Sequence, residues 1–336
     1  MRAGFLHVLV SVSLLGFEVN AQAPTPTPAP KAAPPLRLPF AAIVPEAKFD
    51  VAGAMALAAT EDAVWIASTT SGLVSRVDPQ TNKVTQTVAV AKGQCGGISA
   101  DFESVFVALC ATNQIARIDP KKNGLGEPMA ITLSPRAHSF ATGVGSVWAI
   151  SDARGTIARI DPANGEVVAQ IYTTPGATSV VFGEEALWVA SPSRNTVTRI
   201  NPHTNLIVET ITVAKAPSDI AVGEGSVWTW NQTDGSVSRI DPKTNTVVMT
   251  IQTGATGSDG RIVAGDGSIW VATTGVALTR IDARTNGVAQ VFTGTGSPVL
   301  GLLNGSIWLS VGPKGVWRID PKRIEATRAA PPVAKP

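Results

Sequence analysis

Arg239-Ile240-Asp241-Pro242 sets an arginine and an aspartate two residues apart, eleven residues after Trp228. On an extended strand that spacing places both side chains on one face. A charged pair beside an indole could form part of an active site. Five other positions carry chemical potential. His138 could bind a ligand or serve as an acid/base group, as an ordinary imidazole can. Arg261 offers a fork of donors suited to a carboxylate or phosphate. Trp230 could stack against a sugar or another flat ligand, and Cys95 and Cys110 are the two cysteines.

The Arg/Asp pair loses its claim once the whole chain is read. The motif recurs as "SRVDPQTN" at Arg76, "ARIDPKKN" at Arg117, "ARIDPANG" at Arg159 and "TRINPHTN" at Arg199. It continues as "SRIDPKTN" at Arg239, "TRIDARTN" at Arg280 and "WRIDPKRI" at Arg318, with successive spacings of 41, 42, 40, 40, 41 and 38. Ten or eleven residues before each arginine sits Trp65, Phe106, Trp148, Trp188, Trp228, Trp270 or Trp308. A period near 40 with strand-like content predicts one four-stranded propeller blade per repeat. An active site needs one constellation, not seven rotational copies. The arginine is therefore expected between blades, pairing with an acid or packing over an aromatic. Its aspartate is expected to close the turn before proline.

Within a repeat, "SDIAVGEGSVWTW" reads as two strands joined by a Gly-bearing tight turn, "SVSRI" as a third and "TVVMTI" as a fourth. Helical periodicity is absent outside the N-terminus. The seventh unit lacks a good fourth strand, so residues about 47–52 are expected to supply it and close the ring. The fold class is all-β, a seven-bladed β-propeller of four-stranded antiparallel blades over residues 47–326.

The ends read differently. Arg2, the apolar run Phe5–Phe17 and Ala21-Gln22-Ala23 resemble an export signal over residues 1–23, with an uncleaved anchor as the competing reading. The run falls short of the ~20 residues a membrane span requires, so no span is expected in the mature chain. Residues 24–46 are Pro-rich and read as an extended linker, and residues 327–336 as a frayed tail. Residues 41–326 hold 22 basic and 24 acidic residues, so the basic excess lies in the tails. That balance gives no support to a nucleic-acid partner.

The "GSVW", "TVSRIDP" and "TNTVV" segments resemble the YVTN/YncE-like and virginiamycin B lyase-like (streptogramin lyase) seven-bladed propellers, over roughly residues 47–326. Lyases of that group use a metal with histidine and glutamate on the central face, commonly a glutamate three residues after the tryptophan. Here those positions are Ser68, Leu109, Ser151, Ser191, Asn231, Thr273 and Val311. None is acidic. No catalytic residue, metal ligand or cofactor is assigned.

Cys95 and Cys110 flank a hairpin turning at Phe102-Glu103. Partners across it should sum to 205, as these two do. A disulfide is expected, in keeping with export to the periplasm or medium.

Ligand sites of this fold gather where inner-strand entry loops and second-to-third strand loops share a face. Aligning the tight turns puts Met55, Gly96, His138, Thr178, Ser218, Gly260 and Pro298 in one ring, with Asp219, Asp259 and Arg261 beside it. Trp230, Asn231 and Arg154 fall on the second loop set. The candidate ligand-binding residues are His138, Thr178, Ser218, Trp230, Asn231, Asp259 and Arg261. For His138 a solvated loop residue, for Arg261 an ion pair with Asp259 or Asp219, and for Trp230 inter-blade filling remain alternatives. Two functions follow. One is an exported, monomeric scaffold binding a small molecule or envelope protein. The other is a metal-assisted lyase- or lactonase-like enzyme with a divergent site.

Overall fold

Blade V shows how a repeat folds. Pro217–Gly223, Ser226–Asn231, Ser236–Asp241 and Thr246–Gln252 form one antiparallel sheet in chain order. The first hairpin turns on Glu224 and Gly225, both at positive φ (54° and 66°), as the right-handed twist of the flanking strands demands. The fourth strand follows the Asp-Pro turn, where Asn245 takes the left-handed conformation at φ 57°.

The structure is a computed structural model. It describes residues 34–327, except 93, 133–139, 256–258 and 313–314. The expected export signal, residues 24–33 of the expected linker, the tail beyond 327 and His138 lie outside the described residues. Seven sheets are present: blades I to VII over residues 54–89, 94–130, 141–172, 179–212, 217–252, 261–293 and 300–319. Seven apolar clusters each join one blade to the next, including VII back to I. The aromatics ten or eleven residues before the arginines are wholly buried in them. All seven arginines pair across strands with that aromatic, as Trp228 does with Arg239.

The ring closes as expected. Ala47–Phe49 pairs antiparallel with Val316–Ile319, making the outer strand of blade VII from the N-terminal side. Arg318 completes the seam by donating through Nη1 to Pro79 O and to Asn82 Oδ1 of blade I.

Two expectations are corrected. Residues 36–46 are not a free linker. Leu36–Pro39 pairs parallel to Gly287–Thr293 as a fifth strand on blade VI, Phe40 stacks on Trp317 at 5.0 Å, and Ile43 is buried. The composition misleads because Pro39 ends an edge strand, where its missing N–H costs no ladder bond, while Leu36 and Leu38 alternate inward. Nor is helix absent. Pro321–Ala326 forms a short one, capped by Asp320, whose side chain accepts from Lys322 N, with Pro321 in the first turn.

The repeated arginine is a three-way joint. In blade V its guanidinium lies 4.8 Å from the Trp228 ring centroid, donates from Nε to Ser226 Oγ, and reaches blade VI through Nη1. There it meets Ala283 O at 3.1 Å and Asn286 Oδ1 at 2.9 Å. Arg159 and Arg199 make the same pair of contacts to Pro202 and Asn205 and to Pro242 and Asn245. Asn at the end of the turn therefore does two things: it tolerates the left-handed backbone and receives the neighbour's arginine. Arg280 lacks such a turn ahead of it and pairs instead with Glu325 of the helix at 2.8 Å. The aspartates close their turns as expected, Asp241 Oδ1 accepting from Lys243 N at 2.8 Å.

Candidate functional site

The entry of each inner strand faces the central channel, and three of these entries are irregular. The pairing register shifts between Ala54 and Ala56 in blade I, between Gln94 and Ile98 in blade II, and between Pro217 and Asp219 in blade V. A bulge adds an unpaired residue and re-aims its side chain. Met55, Cys95 and Ser218 occupy these bulges and line one cavity of about 490 Å³ with Asp259, Gly260, Arg261 and Pro298. Residues from five blades meet there.

Its wall is held by a polar cluster. Asp219, 6% exposed, accepts from Ser179 Oγ of blade IV at 2.9 Å and from Ile262 N of blade VI at 3.1 Å, and lies 3.4 Å from Arg261 Nη1. A buried carboxylate is tolerable only when its oxygens are satisfied in this way. It thus ties three blades together at the level of the cavity. Asp259 accepts from Thr274 Oγ1 at 2.8 Å. Thr178 Oγ1 donates to Ser218 O at 3.0 Å, joining blades IV and V. Ser218 Oγ itself is buried and has no hydrogen-bond partner among the described residues.

The cavity therefore gathers Ser218, Asp259 and Arg261 from the candidates, and Thr178 supports it through Ser218. Trp230 and Asn231 are placed elsewhere. Both end the second strand of blade V with no exposed surface rather than standing on a loop. Trp230 packs in the apolar cluster between blades V and VI and is inter-blade filling, not a stacking platform. A Cβ on Gly260 would lie 2.5 Å from Trp230 Nε1, so this glycine is the space the indole occupies. Asn231 Nδ2 donates to Ser236 and Ser238 within its own blade. Arg154 turns back onto Asp152, away from the cavity. The bridging role of Asp219 was missed. The repeats did hold a signal, since Ser179, Asp219 and Arg261 occupy one equivalent position in three consecutive blades.

Cys95 and Cys110 form the expected disulfide, with Cα atoms 5.6 Å apart. They are not directly opposite, because the register that sums to 205 at Ile98↔Val107 has slipped by Gln94↔Leu109. The bridge instead pins a bulged strand entry at the cavity's edge.

The resemblance to lyases implies a metal, and the described residues do not fit one. Among the described residues no three His, Cys, Asp or Glu side chains converge. The positions three after the tryptophan serve the frame, as Ser68 does by donating to Ala52 O.

A family model described as a repeat of unknown function (DUF6923) matches residues 173–307, less than half the chain. No curated protein matches by sequence. A streptogramin B lyase structure superposes with TM-score 0.68 at 16% identity, covering 81% of this chain and 96% of that one. The virginiamycin B lyase of Staphylococcus aureus superposes with TM-score 0.67 at 15% identity, covering 81% and 98%. The chain is a seven-bladed β-propeller with the fold of the virginiamycin B lyases.

Proposed function

We propose that this is an exported propeller that binds a small ligand or an envelope partner at the channel mouth, without covalent chemistry. Ser218 Oγ carries the reading. A buried hydroxyl without a partner is costly, and this one lines a cavity whose charged groups, Asp259 and Arg261, come from a different blade. A ligand offering one hydrogen-bonding group to Ser218 would satisfy that hydroxyl, and a negative group on it would lie beside the Arg261–Asp219 pair. Export is supported by the N-terminal pattern and by the disulfide, which persists in oxidising compartments.

Native mass spectrometry of the purified protein against a metabolite extract tests this. A bound small molecule is expected, with affinity reduced about tenfold by Ser218→Ala, the worth of one hydrogen bond. A stoichiometric divalent ion together with turnover of a streptogramin or lactone would replace this reading with the enzymatic one, which the fold likeness alone favours. Export is checked by the mass of the mature chain, expected to begin after Ala23.

A further inference from the structure

Arg117 makes a joint that lacks parts present in other blades. Six of the seven lie over a tryptophan, whereas the residue opposite Arg117 is Phe106. Its Nε donates to Ser104 Oγ at 2.9 Å and its Nη1 to Pro162 O at 3.2 Å. The amide oxygen that Arg159, Arg199, Arg239 and Arg318 receive from the next blade has no counterpart. The reason lies in the turn of blade III. Its left-handed position is Gly165 at φ 76°, and a Cβ there would lie 2.7 Å from Met129 Cγ. The neighbouring Asn164 uses its side chain on Glu166.

A cavity of about 450 Å³ stands where that joint is incomplete, between blades II and III and away from the channel mouth. The outer strand of blade II is broken beside it, into Gly124–Leu125 and Met129–Ala130. Arg117, Phe102, Pro128, Met129 and Pro162 line it. Three carboxylates line it: Glu103 pairs with Lys121 at 2.8 Å, Asp119 accepts from the N–H groups of Lys121 and Lys122, and Glu127 is exposed to solvent. Among the described residues Arg117 forms no ion pair.

We propose that this cavity is a second ligand site, which takes a small organic carboxylate with an apolar body, anchored by Arg117. The carboxylate oxygen replaces the missing amide oxygen at the guanidinium, with the added strength of a charged pair. The apolar body packs on Phe102, Pro128 and Met129.

Titration of the intact protein with benzoate, followed through the arginine Nε–H NMR signals, tests the proposal. Saturable movement of the Arg117 signal is expected, with binding at least about tenfold weaker for benzamide, which lacks the charge. Arg117→Gln should abolish it. Met129→Gly with Gly165→Asn should also abolish it, because removing both Met129 Cγ and Cβ makes room for the asparagine that restores the amide partner. The wild-type titration needs no variant to fold. No saturation by about 10 mM benzoate, equal affinity for benzamide, or equal competition by inorganic phosphate would overturn the proposal.

Discussion

The joint between blades V and VI and the joints on either side of blade II are built from the same repeat, yet they differ throughout. At V–VI, Arg239 has its tryptophan, its serine and both acceptors on the next blade, and Trp230 adds a second buried indole. At I–II, Arg76 turns back to Asp62 and Thr85 of its own blade, and Asn123 Oδ1 of blade II is buried with no hydrogen-bond partner among the described residues. At II–III, Arg117 reaches one acceptor instead of two. Blade II also carries the disulfide and the broken outer strand. A closed ring spreads its stability over seven joints, so a weak blade survives if it is braced locally. The weak blade is then where the surface is free to depart from the repeat.

Removing the tight joint's filling should have the largest effect. Trp230→Ala is expected to cost about 3–5 kcal/mol, since a wholly buried indole leaves a cavity its neighbours cannot fill. The denaturant midpoint measures this. A loss as small as that of an ordinary surface change would mean that V–VI is no tighter than the rest. Next comes the brace. Cys95→Ser with Cys110→Ser opens a link across a separation of 15 residues and should cost about 3 kcal/mol. Limited proteolysis of the double variant should cut first within blade II.

The arginine joints allow a direct contrast. Arg239→Gln removes contacts to two acceptors on the next blade beside a buried indole, and should cost roughly 1–3 kcal/mol. Arg76→Gln removes contacts within its own blade, including an ion pair to the largely exposed Asp62, and should cost under about 1 kcal/mol. Equal losses in urea titrations would remove the distinction between the two joints.

These differences were unevenly legible in the sequence. Blade number, the closing strand and the disulfide were all readable, because each rests on period or on pairing across a hairpin. The joint itself was half readable. The seven arginines announced a structural role, but the acceptors of Arg159, Arg199 and Arg239 are a carbonyl and an asparagine some 43 to 47 residues away, which no local pattern links. Trp230 was misplaced because β-strands bury both faces between blades. The strand runs one residue into the polar segment "NQTDG", burying Asn231 together with Trp230. Leu36–Pro39 was hidden by proline content, since composition cannot tell a spacer from an edge strand that uses proline at its end.

The smallest effect concerns the turns that all blades share, and it asks whether blade II is as ordinary there as the others. Backbone N–H groups donate to the turn aspartates, from Gln80 to Asp78, from Lys122 to Asp119 and from Lys243 to Asp241, and hold these carboxyls below the usual carboxylate range. A folded-state value below the unfolded one, about 3.9, means that the stabilisation is complete above that pH. It is lost as pH falls through the depressed values. Thermal melts should therefore decline on acidification below about pH 4. The protein contains its own control. The turn of blade IV has Asn201, which accepts from His203 N and Thr204 N without a titrating group. Asp78→Asn and Asp241→Asn should each flatten part of the acid limb while leaving the neutral-pH melt nearly unchanged. Asp119→Asn in blade II should do the same, by a similar amount. An unaltered acid limb in all three variants would show that the turn carboxylates do not set it.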